Sequence, residues 1–147
     1  MEVKFFKNLI VENCKNLKLE KFKTSFYYES NDSIIFIILR KSGYSTKYYL
    51  RIKTEIKPFE NNFDKAEFIK HDICDILLSL DSENPEIFDL ENNVSDNERT
   101  EKINLFFKNN VTKWIKILED KEKIKSEFTK NNFFLLPYTK QKLGLEI

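Results

Sequence analysis

The stretch SIIFIILRKSGYSTKYYLRIKTEI, Ser33 to Ile56, decides the fold. Its first part, Ile34 to Leu39, is an unbroken apolar run, the pattern of a strand covered on both faces. RKSGYST then supplies a polar turn, with Gly43 available for a positive φ. The chain returns in strict alternation. Tyr48, Leu50, Ile52 and Ile56 face a core, while Tyr49, Arg51, Lys53, Glu55 and Lys57 face the other way. Pro58 has no amide hydrogen to give a ladder and ends the strand. A sheet with one strand deep inside and its neighbour half exposed follows from these two patterns.

Working upstream, KFKTSFYYES keeps a period of two, with Phe22, Phe26 and Tyr28 on one side and Lys23, Ser25, Tyr27 and Glu29 on the other. SND at Ser30–Asp32 is a turn signal, because Asn and Asp side chains satisfy their own local backbone. Before that strand, Phe6, Leu9, Ile10, Cys14 and Leu17 recur at intervals of three and four and share one face of a helix.

Downstream of Pro58 both periods occur. Phe63, Ala66, Phe68 and Ile69 indicate a short helix. ICDILLSL fits a helix through Ile69, Ile73, Ile76, Leu77 and Leu80, or a strand through Cys74, Ile76, Leu78 and Leu80. The strand is preferred, followed by a loop at DSENP and a second short strand at EIFDL. SDNE at Ser95–Glu98 has the form of a capping box. Ile103, Phe107, Val111, Trp114 and Leu118, widened by Phe106, Ile115 and Ile117, then make a long amphipathic helix expected to cover the sheet. Ile124 and Phe128 mark another helix, and Phe133, Phe134, Leu135 and Leu136 are expected to pack a tail of residues 131–147 partly onto the body.

The fold class expected is therefore α+β: an antiparallel meander of about four or five strands, covered by an N-terminal helix and a long C-terminal amphipathic helix. At 147 residues the whole chain, 1–147, reads as one domain able to build a core without disulfide or metal staples. Its 41% hydrophobic content and 14 phenylalanines exclude general disorder. Cys14 and Cys74 lie far apart without a CxxC partner, and MEVKFFKNLIVENCKN reads as neither a signal peptide nor a membrane span. Buried free thiols in a cytoplasmic protein are expected.

The net charge is only +1, which argues against a globally basic nucleic-acid binder or a polybasic membrane protein. Yet charge is unevenly spread: residues 1–57 carry +6, residues 58–101 carry −10 and residues 102–147 carry +5. Catalytic signatures are sparse. The single histidine, His71, has Asp72 beside it and Cys74 three residues on, a Cys-His pair only if the region is helical. With two glycines, Gly43 and Gly144, no phosphate-binding glycine loop can exist. No metal set beyond two cysteines, one histidine and carboxylates is available, so no metal and no cofactor are expected.

Three site readings remain. The acidic block, centred on Asp81, Glu83, Glu86, Asp89 and Glu91, creates a negative field that can steer a basic partner. The polar sheet face, Tyr27, Tyr49, Arg51 and Lys53, is an aromatic and basic surface of the kind that stacks bases, a nucleic-acid or small-ligand alternative. An enzyme centred on His71 is the third.

The order of helix, SFYYESNDSIIFIILRKSG, TKYYLRIKTEI, short sheet region and a helix ending VTKWIKILED resembles the bacterial domain-of-unknown-function 4304 family across roughly residues 2–122. LEKF stands where that family commonly has Gly-Phe, and EIFDL where it has a tryptophan-rich strand. The family has no assigned activity, so the resemblance implies a fold and no site residue. Small proteins of this type resemble toxin-immunity proteins in architecture. The reading is a non-enzymatic protein-binding module, in its most specific form an immunity protein whose acidic surface blocks a basic, nuclease-like toxin domain. Neither nucleic acid nor a membrane is the expected partner.

Overall fold

A computed structural model describes residues 1–131 and 133–146. The chain forms helix α1 (Val3–Asn16), strands β1 (Glu20–Phe22), β2 (Ser25–Glu29), β3 (Ser33–Lys41) and β4 (Tyr48–Ile56), helix α2 (Lys65–Lys70) and strand β5 (Ile76–Ser79). Helices α3 (Asp96–Phe106), α4 (Thr112–Leu118), α5 (Lys121–Lys130) and α6 (Pro137–Lys142) follow. The sheet is a five-stranded antiparallel meander in the order β1-β2-β3-β4-β5, as expected for an α+β fold.

β3 is buried on both faces. Ile35 and Ile37 join the main core with Tyr48, Leu50, Ile52 and Ile56 of β4, beneath α1, α3, α4 and α5. Ile34, Phe36 and Ile38 point the other way into a second, smaller core with Phe68 of α2 and Cys74. The face expected to be half exposed is so at Tyr49 and Arg51 but is covered from Lys53 onward. Lys53 is 0% exposed beneath the C-terminal end of α2, and Glu55 is 8% exposed beneath Asp75 and the α6 side chains Tyr138 and Lys142.

The aromatic first strand is two strands. Lys23 takes a positive φ of 55°, and the tight turn it makes with Thr24 puts Phe22 on the second core and Phe26 on the main one. Left-handed positions fall at Lys18, Lys23 and Gly144, not at Gly43. Gly144 closes α6, where the Leu145 amide donates to the Lys140 carbonyl at 2.9 Å.

The long helix forms with one irregularity. Ser95 Oγ accepts from the Glu98 amide at 3.1 Å, but the Glu98 side chain runs forward to Lys102 at 3.0 Å instead of back to the cap. A π turn, Phe107–Val111, joins α3 to α4. Its extra residue lets both Phe106 and Phe107 enter the core and leaves Trp114 half-buried at the edge. Of the tail, Leu135 is buried, whereas Phe133, Phe134 and Leu136 are exposed. The tail then forms α6, unforeseen from periodicity, with Pro137 in its first turn. No helix among the described residues is long and apolar enough to cross a membrane.

Candidate functional site

The acidic segment after β5 folds as two 3₁₀ turns, Leu80–Glu83 and Pro85–Phe88, not as the expected loop and strand. Its backbone carbonyls have no neighbouring strand to donate to them, apart from an isolated bridge between Lys47 and Asp89. A guanidinium satisfies them instead. Arg99 of α3, 0% exposed, gives Nη1 to the carbonyls of Glu86 (3.3 Å), Ile87 (2.9 Å) and Asp89 (3.0 Å), and Nη2 to that of Asn92 (3.3 Å). Desolvation pulls its pKa down, while Asp96 and Asp89 push it back up. Ile87 and Phe88 anchor the turns from below, with the Phe88 ring edge-on to Phe6 and Phe106 at 6.2 and 5.3 Å. Nothing local in the sequence marks Arg99 as the clamp.

The five central carboxylates divide by orientation. Asp81 accepts from the Leu50 amide (2.9 Å) and Ser79 Oγ (2.6 Å), ending the pairing of β4 with β5. Asp89 accepts from Thr46 Oγ1 (2.8 Å) and the Glu91 amide (3.2 Å). These two hold the backbone. Glu83 faces outward and is fixed by two neutral donors, Trp114 Nε1 at 3.0 Å and Asn110 Nδ2 at 3.4 Å, which position the carboxylate without cancelling its charge. The exposed Glu86 and Glu91 side chains make no hydrogen bond or ion pair among the described residues.

Glu83 stands on the rim of a cleft of about 230 Å³ between the first 3₁₀ turn and the α3–π junction, lined also by Asn84, Lys102, Leu105, Phe106, Asn109 and Asn110. Leu105 is 55% exposed there. Lys102 is held charged first by its hydrogen bond to Glu98 and further by the field of Glu86. The −10 block is thus not one patch: Asp72 and Asp75 lie elsewhere, each engaged with cations.

The alternative ligand face is engaged within the molecule. Lys53 Nζ donates to the last carbonyls of α2, those of Phe68 (3.2 Å) and Ile69 (3.4 Å), and to His71 O. Arg40 Nη2 donates to Ile69 O at 2.8 Å. Asp72 then takes Arg40, Arg51 and Lys53 at 3.4, 3.3 and 3.5 Å. Desolvation, the largest single effect, raises its pKa, but the three cations together, Lys53 foremost, outweigh it and hold the carboxyl below the usual range. Burial lowers the Lys53 pKa, and Arg40 lowers it further. Tyr27 stacks on Phe36 at 5.3 Å and donates to Glu20 at 2.6 Å, and Arg51 lies over the Tyr49 ring at 5.5 Å.

His71 and Cys74 do not form a dyad. The exposed imidazole bonds Glu67 at 3.2 Å, whereas the buried Cys74 thiol donates to Ile76 O at 3.3 Å. Burial pushes that thiol up to about 11, which keeps it protonated at neutral pH. Among the described residues no group of three His, Cys, Asp or Glu is placed to hold a metal ion.

A second buried charge cluster was not legible in the sequence. Asp75, its side chain fully buried, accepts from the Ile56 amide (2.7 Å), Thr139 Oγ1 (2.5 Å) and Lys142 Nζ (2.8 Å). Glu55 accepts from the Asp75 amide (3.0 Å) and Tyr138 Oη (3.1 Å), with Lys142 at 3.6 Å. Desolvation first, and then the Asp75 charge, raise the Glu55 pKa above its ordinary value of 4.5. The folded state therefore binds this proton more tightly than the unfolded chain. The contribution of Glu55 to stability is complete below pH 4.5 and is lost as pH rises through the raised folded value. Glu55→Gln removes that titration. Thermal melts from pH 4 to 8 should show the variant gaining on the wild type as pH rises; parallel curves would refute the assignment.

No protein-family model matches the chain, and no curated protein or solved structure matches it.

Proposed function

We propose that the chain is a protein-binding module that docks a basic partner in the cleft between the 3₁₀ turns and α3, and that the partner is a basic toxin domain which it neutralises. The observation that carries this reading is Glu83, held outward by Trp114 and Asn110 beside the exposed Leu105. A carboxylate fixed by neutral donors needs little reordering to receive an Arg or Lys, and an apolar side chain beside it provides an anchor to desolvate. Glu86 and Glu91, both free at the surface, extend the negative field that speeds encounter. The π turn adds Asn109 and Asn110 to the rim, and such turns within helices are frequent at functional sites. Two buried free thiols, Cys14 and Cys74, accord with a cytoplasmic location, which belongs to this proposal together with the resemblance to the domain-of-unknown-function 4304 family.

The aromatic and basic sheet face is not advanced as a second site, because its cations already serve Asp72 and the α2 carbonyls. The test is capture of the neighbouring gene's product by the purified chain and its inhibition, read as residual nucleic-acid cleavage. Replacing Glu83, Glu86 and Glu91 together by lysine should weaken inhibition by about 100-fold while leaving the melting temperature close to that of the wild type. Inhibition equal to wild type in that variant would remove the proposal.

A further inference from the structure

A surface groove runs between the helical run from α3 through the π turn to α4 and, opposite it, the C-terminal end of α1 and β2. It shares no residue with the proposed docking cleft. Three concavities of about 510, 240 and 670 Å³ make it up. The first two share Leu17 and Thr112, and the last two share Tyr28 and Glu119, so they join end to end. The helical wall is one stripe, Asn104, Lys108, Thr112, Ile115 and Glu119, at spacings of 4, 4, 3 and 4. From Asn104 to Glu119 the helix rises roughly 22 Å, the length of about six or seven residues of extended chain. The walls stand open: Tyr28 is 39% exposed, and Asn16, Asn104, Lys108 and Lys116 lie at the surface.

At one end, two asparagines have their amide orientation fixed from within the protein. Asn13, 7% exposed, donates Nδ2 to Leu9 O and to Asn104 Oδ1, both at 2.9 Å. Asn13 Oδ1 and Asn104 Nδ2 are left without a partner among the described residues. The unpartnered side-chain atoms sealed from solvent are Thr54 Oγ1 and Arg99 Nε, so Asn13 Oδ1 is still open to the groove it lines. One free acceptor and one free donor on two hydrogen-bonded amides match the N–H and C=O of a peptide backbone. The middle is apolar, with Leu17, Leu19, Tyr28 and Ile115. The far end sets Glu29, Asp32, Glu119 and Asp120 against a single cation, Lys57. Glu29 pairs with Lys57 at 2.8 Å, while Asp32 and Asp120 accept backbone amides at 2.9 Å. Glu119 gives its backbone carbonyl to Ser30 Oγ at 2.7 Å and leaves its carboxylate without a partner among the described residues. That acidic end repels a phosphate backbone, which sets a nucleic acid aside.

We propose that this groove binds an extended peptide segment of another protein, its backbone on Asn13 and Asn104, an apolar side chain against Tyr28 and Ile115, and an Arg or Lys at Glu119. The test uses capped heptapeptides of alanine and serine that carry one Leu and one Arg at every pair of positions. A matched set carries Glu in place of Arg. Each is titrated into the isotope-labelled full chain and followed by amide NMR. At least one Arg peptide should saturate a single site with a dissociation constant below about 1 mM, shifting Asn13, Asn104, Tyr28 and Ile115. Its Glu counterpart should not bind. Asn104→Leu should weaken that peptide about tenfold by removing a hydrogen-bond donor, and Glu119→Lys should weaken it at least as much. Methylating the backbone nitrogens of the peptide should abolish binding. The variant with lysine at Glu83, Glu86 and Glu91 should bind it as the wild type does, so this reading and the docking reading fail separately. No binder in the Arg set, equal binding of the Glu set, unchanged affinity in Asn104→Leu or Glu119→Lys, or loss in the triple lysine variant would each overturn the proposal. If a groove variant fails to fold, the methylated peptide still decides it, because unaltered binding there also excludes backbone recognition.

Discussion

Arg99→Ala will destabilise the protein by about 3–5 kcal/mol, the loss expected when a buried charged group leaves its partners stranded. The guanidinium reaches four carbonyls, those of Glu86, Ile87, Asp89 and Asn92, across a segment with no strand beside it to supply amide donors. Alanine leaves those acceptors in a space formerly filled by a fully buried side chain, and it creates a cavity as well. Denaturant unfolding should show the loss, and hydrogen exchange should locate it first at residues 86–94. Arg99→Lys should recover only part, because one ammonium cannot span acceptors that a planar fork reaches from two nitrogens. A loss below about 1 kcal/mol for alanine, within the scatter of ordinary surface changes, would show that water replaces the clamp without cost. The same variant should impair inhibition of the proposed toxin partner, since Glu83, Glu86 and Glu91 are carried on or beside the released segment.

Asp75→Ala carries the second large effect, again about 3–5 kcal/mol. Asp75 terminates three donors at once: the Ile56 amide at the end of β4, Thr139 Oγ1 and Lys142 Nζ. Two of those donors belong to α6, a helix of six residues that has little intrinsic stability of its own. Without the carboxylate, α6 would keep only Glu55, through Lys142 at 3.6 Å and Tyr138 Oη at 3.1 Å, and the flanking Leu135 and Leu143. Limited proteolysis should therefore cut the variant between residues 131 and 137 long before the sheet unfolds. Asp75→Asn should lie between, since an amide still accepts from Thr139 but no longer neutralises Lys142. An alanine variant as stable and as protease-resistant as wild type would disprove the tether.

Both residues were invisible to a reading of periodicity, and the reason is physical. Arg99 sits in a polar-looking first turn of α3, and Asp75 in a stretch where helix and strand patterns overlap. Their partners stand 7 to 13 and 19 to 67 positions away in the chain, respectively. The same applies to Lys53. Its place in the alternation of β4 is legible in the sequence, but its burial depends on α2 folding back over it. The acidic centre was only partly legible. Charge density singled out the segment, whereas the division into Asp81 and Asp89 holding backbone and Glu83, Glu86 and Glu91 facing solvent depends on the 3₁₀ turns.

What the residues settle by themselves is the meander and its helical cover, because alternation, the 3.6-residue period and turn chemistry are local properties of the chain. An apolar strand such as Ile34–Ile38 even announces two cores, since neither of its faces tolerates water. Which charges stay at the surface is decided only when the chain is assembled. A buried cation or carboxylate is tolerated where distant carbonyls, amides and counter-charges converge on it, and that convergence exists in no single stretch of sequence.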